Sequence, residues 1–173
     1  MEMSGYIPFL GLPEHLDDVG AVRAVIFAAG HGSSYPGRDS GGHALAAEAI
    51  REASLEDAPL VDHWDFDLGG PLFDGWPISC IDAGNLSTRM HDSAGNRALI
   101  EAKTREILAM PAVPILIGGD DSVPIPFLSG FADHGPVWIL QIDAHLDWRD
   151  GIDGERFGYS SPMRRASEVS RGA

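Results

Sequence analysis

The chain has 173 residues, and 26 Asp plus Glu against 12 Lys plus Arg give a formal charge of −14. That length suits one domain over residues 1–173, and 44% hydrophobic residues suffice for a buried core. The acidity and a single lysine, Lys103, exclude a general nucleic-acid binder and a polybasic membrane patch, since both need clustered cations.

Residues 1–20, with Pro8, Gly11 and Pro13, read as an irregular lead-in with a helical turn from Glu14. Val22–Ala28 is a short β-branched apolar run closed by Gly30, the pattern of a buried strand. A loop follows from His31 to Gly42, and the Ala/Glu-rich stretch from Ala44 to Glu52 predicts a helix. Residues 55–77, with three Pro and two Trp, read as a long excursion. Strand patterning returns at Ile78–Asp82, closed by Gly84-Asn85. Ser93–Met110 predicts an amphipathic helix with Leu99, Ile100, Ile107 and Leu108 as its apolar stripe and Pro111 ending it. Pro114–Ile117 is a third strand, Ile125–Phe131 a helix and Val137–Ile142 a fourth strand. No apolar run approaches the ~20 residues that span a bilayer. Met1-Glu2-Met3-Ser4 lacks the basic-then-apolar pattern of a secretory signal. Cys80 stands alone in a predicted strand, which excludes an internal disulfide and a Cys-based zinc site and suggests an inert core thiol. The expectation is a cytoplasmic α/β protein with neither nucleic acid nor membrane as partner. Its continuous apolar strands alternate with helices, as in a mainly parallel sheet covered on both faces.

Such sheets bind ligands at the carboxyl ends of their strands, where both acidic clusters fall. Asp143-Ala144-His145-Leu146-Asp147 is the more informative. If the fourth strand continues through it, residues i, i+2 and i+4 bring two carboxylates and an imidazole to one face. That donor set suits Mn²⁺, Ni²⁺ or Zn²⁺, and Asp120 and Asp121 after the third strand could add a carboxylate to the same rim. The competing reading is structural, with Asp143 and Asp147 capping a turn, His145 satisfied locally and Asp121 capping the next helix.

Gly118-Gly119-Asp120-Asp121-Ser122 followed by Asp143-Ala144-His145-Leu146-Asp147 resembles the ureohydrolase family of arginase, agmatinase and guanidinobutyrase. The family writes these motifs Gly-Gly-Asp-His-Ser and Asp-Ala-His-x-Asp. Tyr35-Pro36-Gly37-Arg38, with Gly41-Gly42 and Ala49-Ile50-Arg51, resembles its N-terminal pattern, and Ser161-Pro162-Met163-Arg164-Arg165-Ala166 resembles a later agmatinase-like stretch. The resemblance implies a three-layer αβα sandwich, incomplete at its C-terminal side. It also implies two divalent cations, Mn²⁺ first and Ni²⁺ second, acting on a small cationic guanidino substrate to give urea and an amine, a C–N hydrolysis of a linear amidine. Family members are commonly trimers or hexamers, so a homo-oligomer or hetero-oligomer is expected.

Carried over by position, Asp121, Asp143, His145 and Asp147 are metal ligands, with Asp143 bridging and counted among the catalytic residues. Asp121 replaces the family's first histidine ligand. Tyr159, in Gly158-Tyr159-Ser160-Ser161-Pro162, stands where many members have a candidate proton-shuttling histidine. With an ordinary pKa of ~10 it is a poor shuttle near neutrality, so its role is catalysis, substrate orientation or packing. The family's later Asp-x-Asp motif is absent from these 173 residues. Two further readings therefore stand beside an agmatinase-like amidinohydrolase. One is a non-catalytic or truncated ureohydrolase-like subunit that assembles with another chain. The other is an unrelated metallophosphoesterase-like hydrolase. Among other residues, His31 reads as a solvated loop histidine near the mouth. Trp148 and Arg149 are pocket-shaping candidates, and Arg164-Arg165 is an ion-pairing or oligomer-contact pair.

Overall fold

Ala24–Ala29 forms strand β1, whose last five residues are buried on both faces, as its unbroken apolar pattern requires. In the computed structural model, which describes residues 6–15, 17, 22–38, 41–72 and 79–169, β1 is the middle of a three-stranded parallel sheet. Cys80–Asn85 (β2) pairs on one side, with Ala24 opposite Cys80. Val113–Gly118 (β3) pairs on the other, in unbroken register from Ala24–Val113 to Ala29–Gly118. Parallel neighbours need crossovers, and helices supply them. Helix α1 (Ala46–Ser54), entered through a 3-10 turn at Gly41–Leu45, lies between β1 and β2 in sequence, and α2 (Ser93–Leu108) lies between β2 and β3. Two short helices follow, α3 (Pro124–Ser129) and α4 (Pro162–Val169).

The main core lies on the α2 face of the sheet, where Val22, Val25, Phe27 and Ile107 pack together with Leu116 and Phe127 against them. Burial of a side chain such as Phe27 or Ile107 contributes ~1.5–3 kcal/mol. Asp92 caps α2 by accepting the Gly95 N–H at 2.9 Å. Its buried face is Asn96, Ile100, Thr104 and Ile107, whereas Leu99, expected in the apolar stripe, is exposed. Asn96 and Thr104 are buried because their polar atoms are satisfied. Asn96 Nδ2 donates to the Gly32 and Arg89 carbonyls, and Thr104 Oγ1 to the Ile100 carbonyl.

On the other side, α1 contributes Arg51, whose guanidinium meets Asp82 of β2 with two 2.7 Å contacts and is 1% exposed. Residues 6–13 seal the outer edge of β2. The Asp82 N–H donates to the Pro13 carbonyl, the Phe9 N–H to Asp82 Oδ2, and Tyr6 Oη to the Asp82 carbonyl. Residues 6–13 of the lead-in are therefore a built part of the fold, with a 3-10 turn at Phe9–Gly11. The helical turn expected from Glu14 falls partly outside the described residues, as does Ile78 of the second predicted strand. Gly84 and Asn85, expected to close that strand, lie within it. Cys80 is half-buried, and burial pushes its thiol pKa up.

The fourth predicted strand is not formed. Residues 137–142 pair with no strand among the described residues, and Trp138 is fully exposed, Leu140 86% and Ile142 92%. An apolar run records a capacity for burial, but a strand needs a neighbour for its N–H and C=O groups, and none adjoins this one.

Candidate metal centre

The carboxyl ends of β1 and β3 meet through backbone so close that a Cβ on Gly119 would lie 2.2 Å from the Gly30 carbonyl oxygen. That contact fixes where the turn after β3 begins. Asp120 Oδ1 accepts the Ser122 N–H at 2.9 Å and also bonds Ser122 Oγ, which in turn accepts the Ser33 N–H at 2.7 Å. Asp120 thus makes the turn that could have been assigned to Asp121, and Asp121 is left facing the rim.

The segment 143–149 reaches the same rim as a turn and not as a strand. Asp147 takes a left-handed backbone conformation, φ 45°, so the alternate-residue geometry expected for Asp143, His145 and Asp147 does not arise. The turn still brings two of the three inward. Asp121, Asp143 and Asp147 each offer a carboxylate oxygen, all within 4.8 Å of one another. Asp147, 7% exposed, accepts from Gln141 Nε2 at 2.7 Å, and its carbonyl accepts the Arg164 N–H near the start of α4. Asp143 Oδ1 accepts the His145 N–H at 2.6 Å. The imidazole itself is 80% exposed, with Nδ1 3.3 Å from Asp143, outside the three-carboxylate cluster.

Partial burial and the charges of Asp147, Asp143 and Asp120, with a hydrogen bond to Asp147, push the Asp121 carboxyl up to about 7. Below neutrality, Asp121 therefore keeps its proton. A divalent cation would relieve the same repulsion. The donor chemistry fits one hard cation through three carboxylates. A second would need donors beyond this cluster, and His145 adjoins it.

Two cavities flank the cluster. One, about 500 Å³, is lined by Asp121, Asp143, Asp147, Trp148, Arg149 and Tyr159. The other, about 640 Å³, is lined by Tyr35, Arg38, His43, Asp120, Asp121 and Tyr159. Tyr159 thus stands between them, its ring edge-on to Tyr35 at 4.8 Å. Tyr35 is 1% exposed and shares a 2.5 Å hydrogen bond with Ser160. A Cβ on Gly158 would fall 2.3 Å from the Tyr35 ring, so only glycine lets the 158–161 loop lie there. The site roles of Tyr35 and Gln141 carried no sequence signal, because each acts through a partner more than five residues away. Arg164 and Arg165 make ion pairs within the chain: Arg165 with Asp150 at 2.6 Å and with Glu168, and Arg164 with Glu168.

The arginase family model matches residues 23–171. The chain belongs to the arginase family. Its resemblance to the ureohydrolases, read from the two acidic motifs, is borne out, and so is the arginase-like αβα class. It is 28% identical to a mitochondrial agmatinase of Gallus gallus over 77% of this chain and 36% of that protein. It is 31% identical to proclavaminate amidinohydrolase of Streptomyces clavuligerus over 77% of this chain and 42% of that one. The solved structure of the Streptomyces enzyme superposes with a TM-score of 0.78 at 26% identity, covering 96% of this chain and 53% of that chain. This arginase-family chain therefore spans about half the length, or less, of the relatives it matches. No helix among the described residues is long and apolar enough to cross a membrane.

Proposed function

We propose that this chain carries one side of the active centre of an agmatinase-like amidinohydrolase. The reaction adds water to a small guanidino compound and releases urea and an amine. The observation that supports this best is the convergence of Asp121, Asp143 and Asp147 within 4.8 Å at the carboxyl end of β3. The names of relatives agree, among them agmatinase, guanidinobutyrase and the human guanidino acid hydrolase. Asp121, Asp143 and Asp147 would hold a divalent cation, and His145 beside them would be a donor to a second; Mn²⁺ is the first choice and Ni²⁺ the second. Bound cations supply a Lewis acid that lowers the pKa of water beside the substrate.

The chain's own residues do the rest. The carboxylate rim attracts the delocalised charge of a guanidinium. Tyr159, anchored on Tyr35, is positioned to orient the substrate between the two cavities, and Trp148 supplies an apolar wall that limits bulk water. The balance is simple. Water oxygen bonds to the guanidinium carbon, the bond from that carbon to the alkyl nitrogen breaks, and both water protons end on the departing nitrogen, which leaves as an ammonium beside neutral urea.

The test measures urea from agmatine and guanidinobutyrate with Mn²⁺ or Ni²⁺, alongside calorimetric titration of each metal. Urea release that disappears in Asp143→Ala supports the reading; no urea with either metal and either substrate overturns it. A second reading, a non-catalytic subunit, is favoured by one specific observation: the three carboxylates suit a single cation. It predicts one Mn²⁺ bound per chain and no urea.

A further inference from the structure

Two consecutive residues of α2 reach the loop that follows β1. Asn96 Nδ2 donates to the Gly32 carbonyl at 3.0 Å, and Arg97 Nη1 donates to Ser33 Oγ at 2.7 Å. Ser33 is fully buried, and its N–H donates to Ser122 Oγ at 2.7 Å. Ser122 in turn bonds Asp120, the residue before Asp121. The loop lies flush on that turn, since a Cβ on Gly32 would fall 2.2 Å from Ser122 Oγ. The other contact of the Arg97 guanidinium is aromatic: its Cζ stands 4.3 Å from the centre of the Phe157 ring. Phe157 lies two residues before Tyr159, and its N–H donates to Glu155 Oε1 at 2.7 Å. Arg97 itself lines neither of the cavities that Tyr159 separates.

We propose that Arg97 is a positioning residue that sets the separation between the acidic rim and Tyr159. The inference rests on the amidinohydrolase reading above, in which a guanidino substrate lies between those two groups. A misplacement of about 1 Å between a catalytic rim and the group that orients the substrate costs on the order of 100-fold in rate. One guanidinium serves both sides because it is planar. Its edge donates to the Ser33 hydroxyl while its face covers the Phe157 ring. A lysine ammonium is a point charge on a flexible stem, so it keeps the hydroxyl contact and loses the stack. The hydroxyl arm runs through Ser33 and Ser122 to the turn that presents Asp121. The ring arm runs through Phe157 to Tyr159. The fixed point is α2, pinned by the buried Ile100 and Ile107 and capped by Asp92.

The two arms can be cut separately, and Asn96, Ile100 and Ile107 keep α2 in place when they are. Arg97→Met removes both arms, Arg97→Lys keeps the hydroxyl arm, and Phe157→Leu removes the ring arm; circular dichroism confirms that each is folded. Mn²⁺ affinity is read by calorimetry. The Tyr159 ring is followed by NMR in protein carrying ¹³C in its three tyrosines, through the ring-current shift that its edge-on contact with Tyr35 imposes. Arg97→Met should weaken Mn²⁺ about 10-fold and displace the Tyr159 resonances. Arg97→Lys and Phe157→Leu should hold Mn²⁺ within about 3-fold of the parent while Tyr159 is still displaced, and urea release from guanidinobutyrate should fall at least ~10-fold in kcat/KM. A purely structural Arg97 would lower the melting temperature and give no such split. Arg97→Met with unchanged Mn²⁺ affinity and Tyr159 resonances, or Arg97→Lys that rescues both or neither, would overturn the proposal. The split without urea from the parent chain supports the positioning role and tells against the hydrolase reading, whereas a parent chain that binds no Mn²⁺ sinks both.

Discussion

The sheet has two edges, and they are finished differently. Beyond β2, residues 6–13 cover the strand, and Asp82 gathers the Arg51 guanidinium together with the Phe9 and Gly84 N–H groups. Beyond β3 lies a groove, and the apolar segment across it is exposed. Both edges begin as six-residue strands, Cys80–Asn85 and Val113–Gly118. The difference lies in what else reaches them. On the β2 side a buried charge is balanced by partners from three parts of the chain, and the edge is closed by hydrogen bonds. On the β3 side the apolar surface is present, and no strand among the described residues pairs with its outward backbone groups.

Substitutions can break that contrast. Arg51→Ala leaves the Asp82 carboxylate buried beside fewer donors and should cost ~3–5 kcal/mol, read by urea denaturation. A loss below ~1 kcal/mol would mean that the β2 side is held by backbone pairing alone. Gly158→Ala drives a methyl into the buried Tyr35 ring and should cost ~1–3 kcal/mol while loosening the Tyr159 loop beside both cavities.

Asp121→Asn probes the acidic rim between the edges. With its carboxyl raised to about 7, folded Asp121 keeps a proton that the unfolded chain releases above its ordinary pKa near 4. Metal-free stability should therefore fall as pH rises from about 4 to about 7 and then level off. The variant should lose that slope and gain on the order of 1 kcal/mol at pH 8, a figure reduced for its partial exposure. In the parent, Mn²⁺ should raise the melting temperature at pH 8 and progressively less below pH 7, where protons compete for the same oxygens. A flat parent profile from pH 4 to 8 would remove the electrostatic account. The smallest effect is expected on the bare side: Ile142→Ser, 92% exposed, should shift stability by no more than ~0.5 kcal/mol. A larger loss would mean that 137–142 is already buried in the free chain.

The strands at Val22–Ala28 and Pro114–Ile117 and the helix from Ser93 were legible because each is specified by neighbours within a few residues: β-branched runs, an apolar stripe and a Pro111 stop. The buried face of α2 was less so, since Asn96 is admitted by the Gly32 carbonyl outside the helix and Thr104 by a back-bond to the Ile100 carbonyl that apolar periodicity does not record. The site divided in the same way. Residue types and spacing marked Asp121, Asp143 and Asp147, but the face they would share was drawn on a strand that is a turn here. His145, one of the four expected ligands, stands outside the three-carboxylate cluster. Tyr159 was picked out by position, whereas the aromatic contact that holds it comes from Tyr35, over a hundred residues earlier.

By itself the sequence determined the α/β alternation, the family and the acidic motifs, because these are written in local periodicity and short spacings. The tertiary structure decided which apolar runs became strands, which edge was closed and which carboxylates came within reach of one cation. Those outcomes depend on hydrogen-bond partners and desolvation by residues far apart in the chain, and no local pattern encodes them.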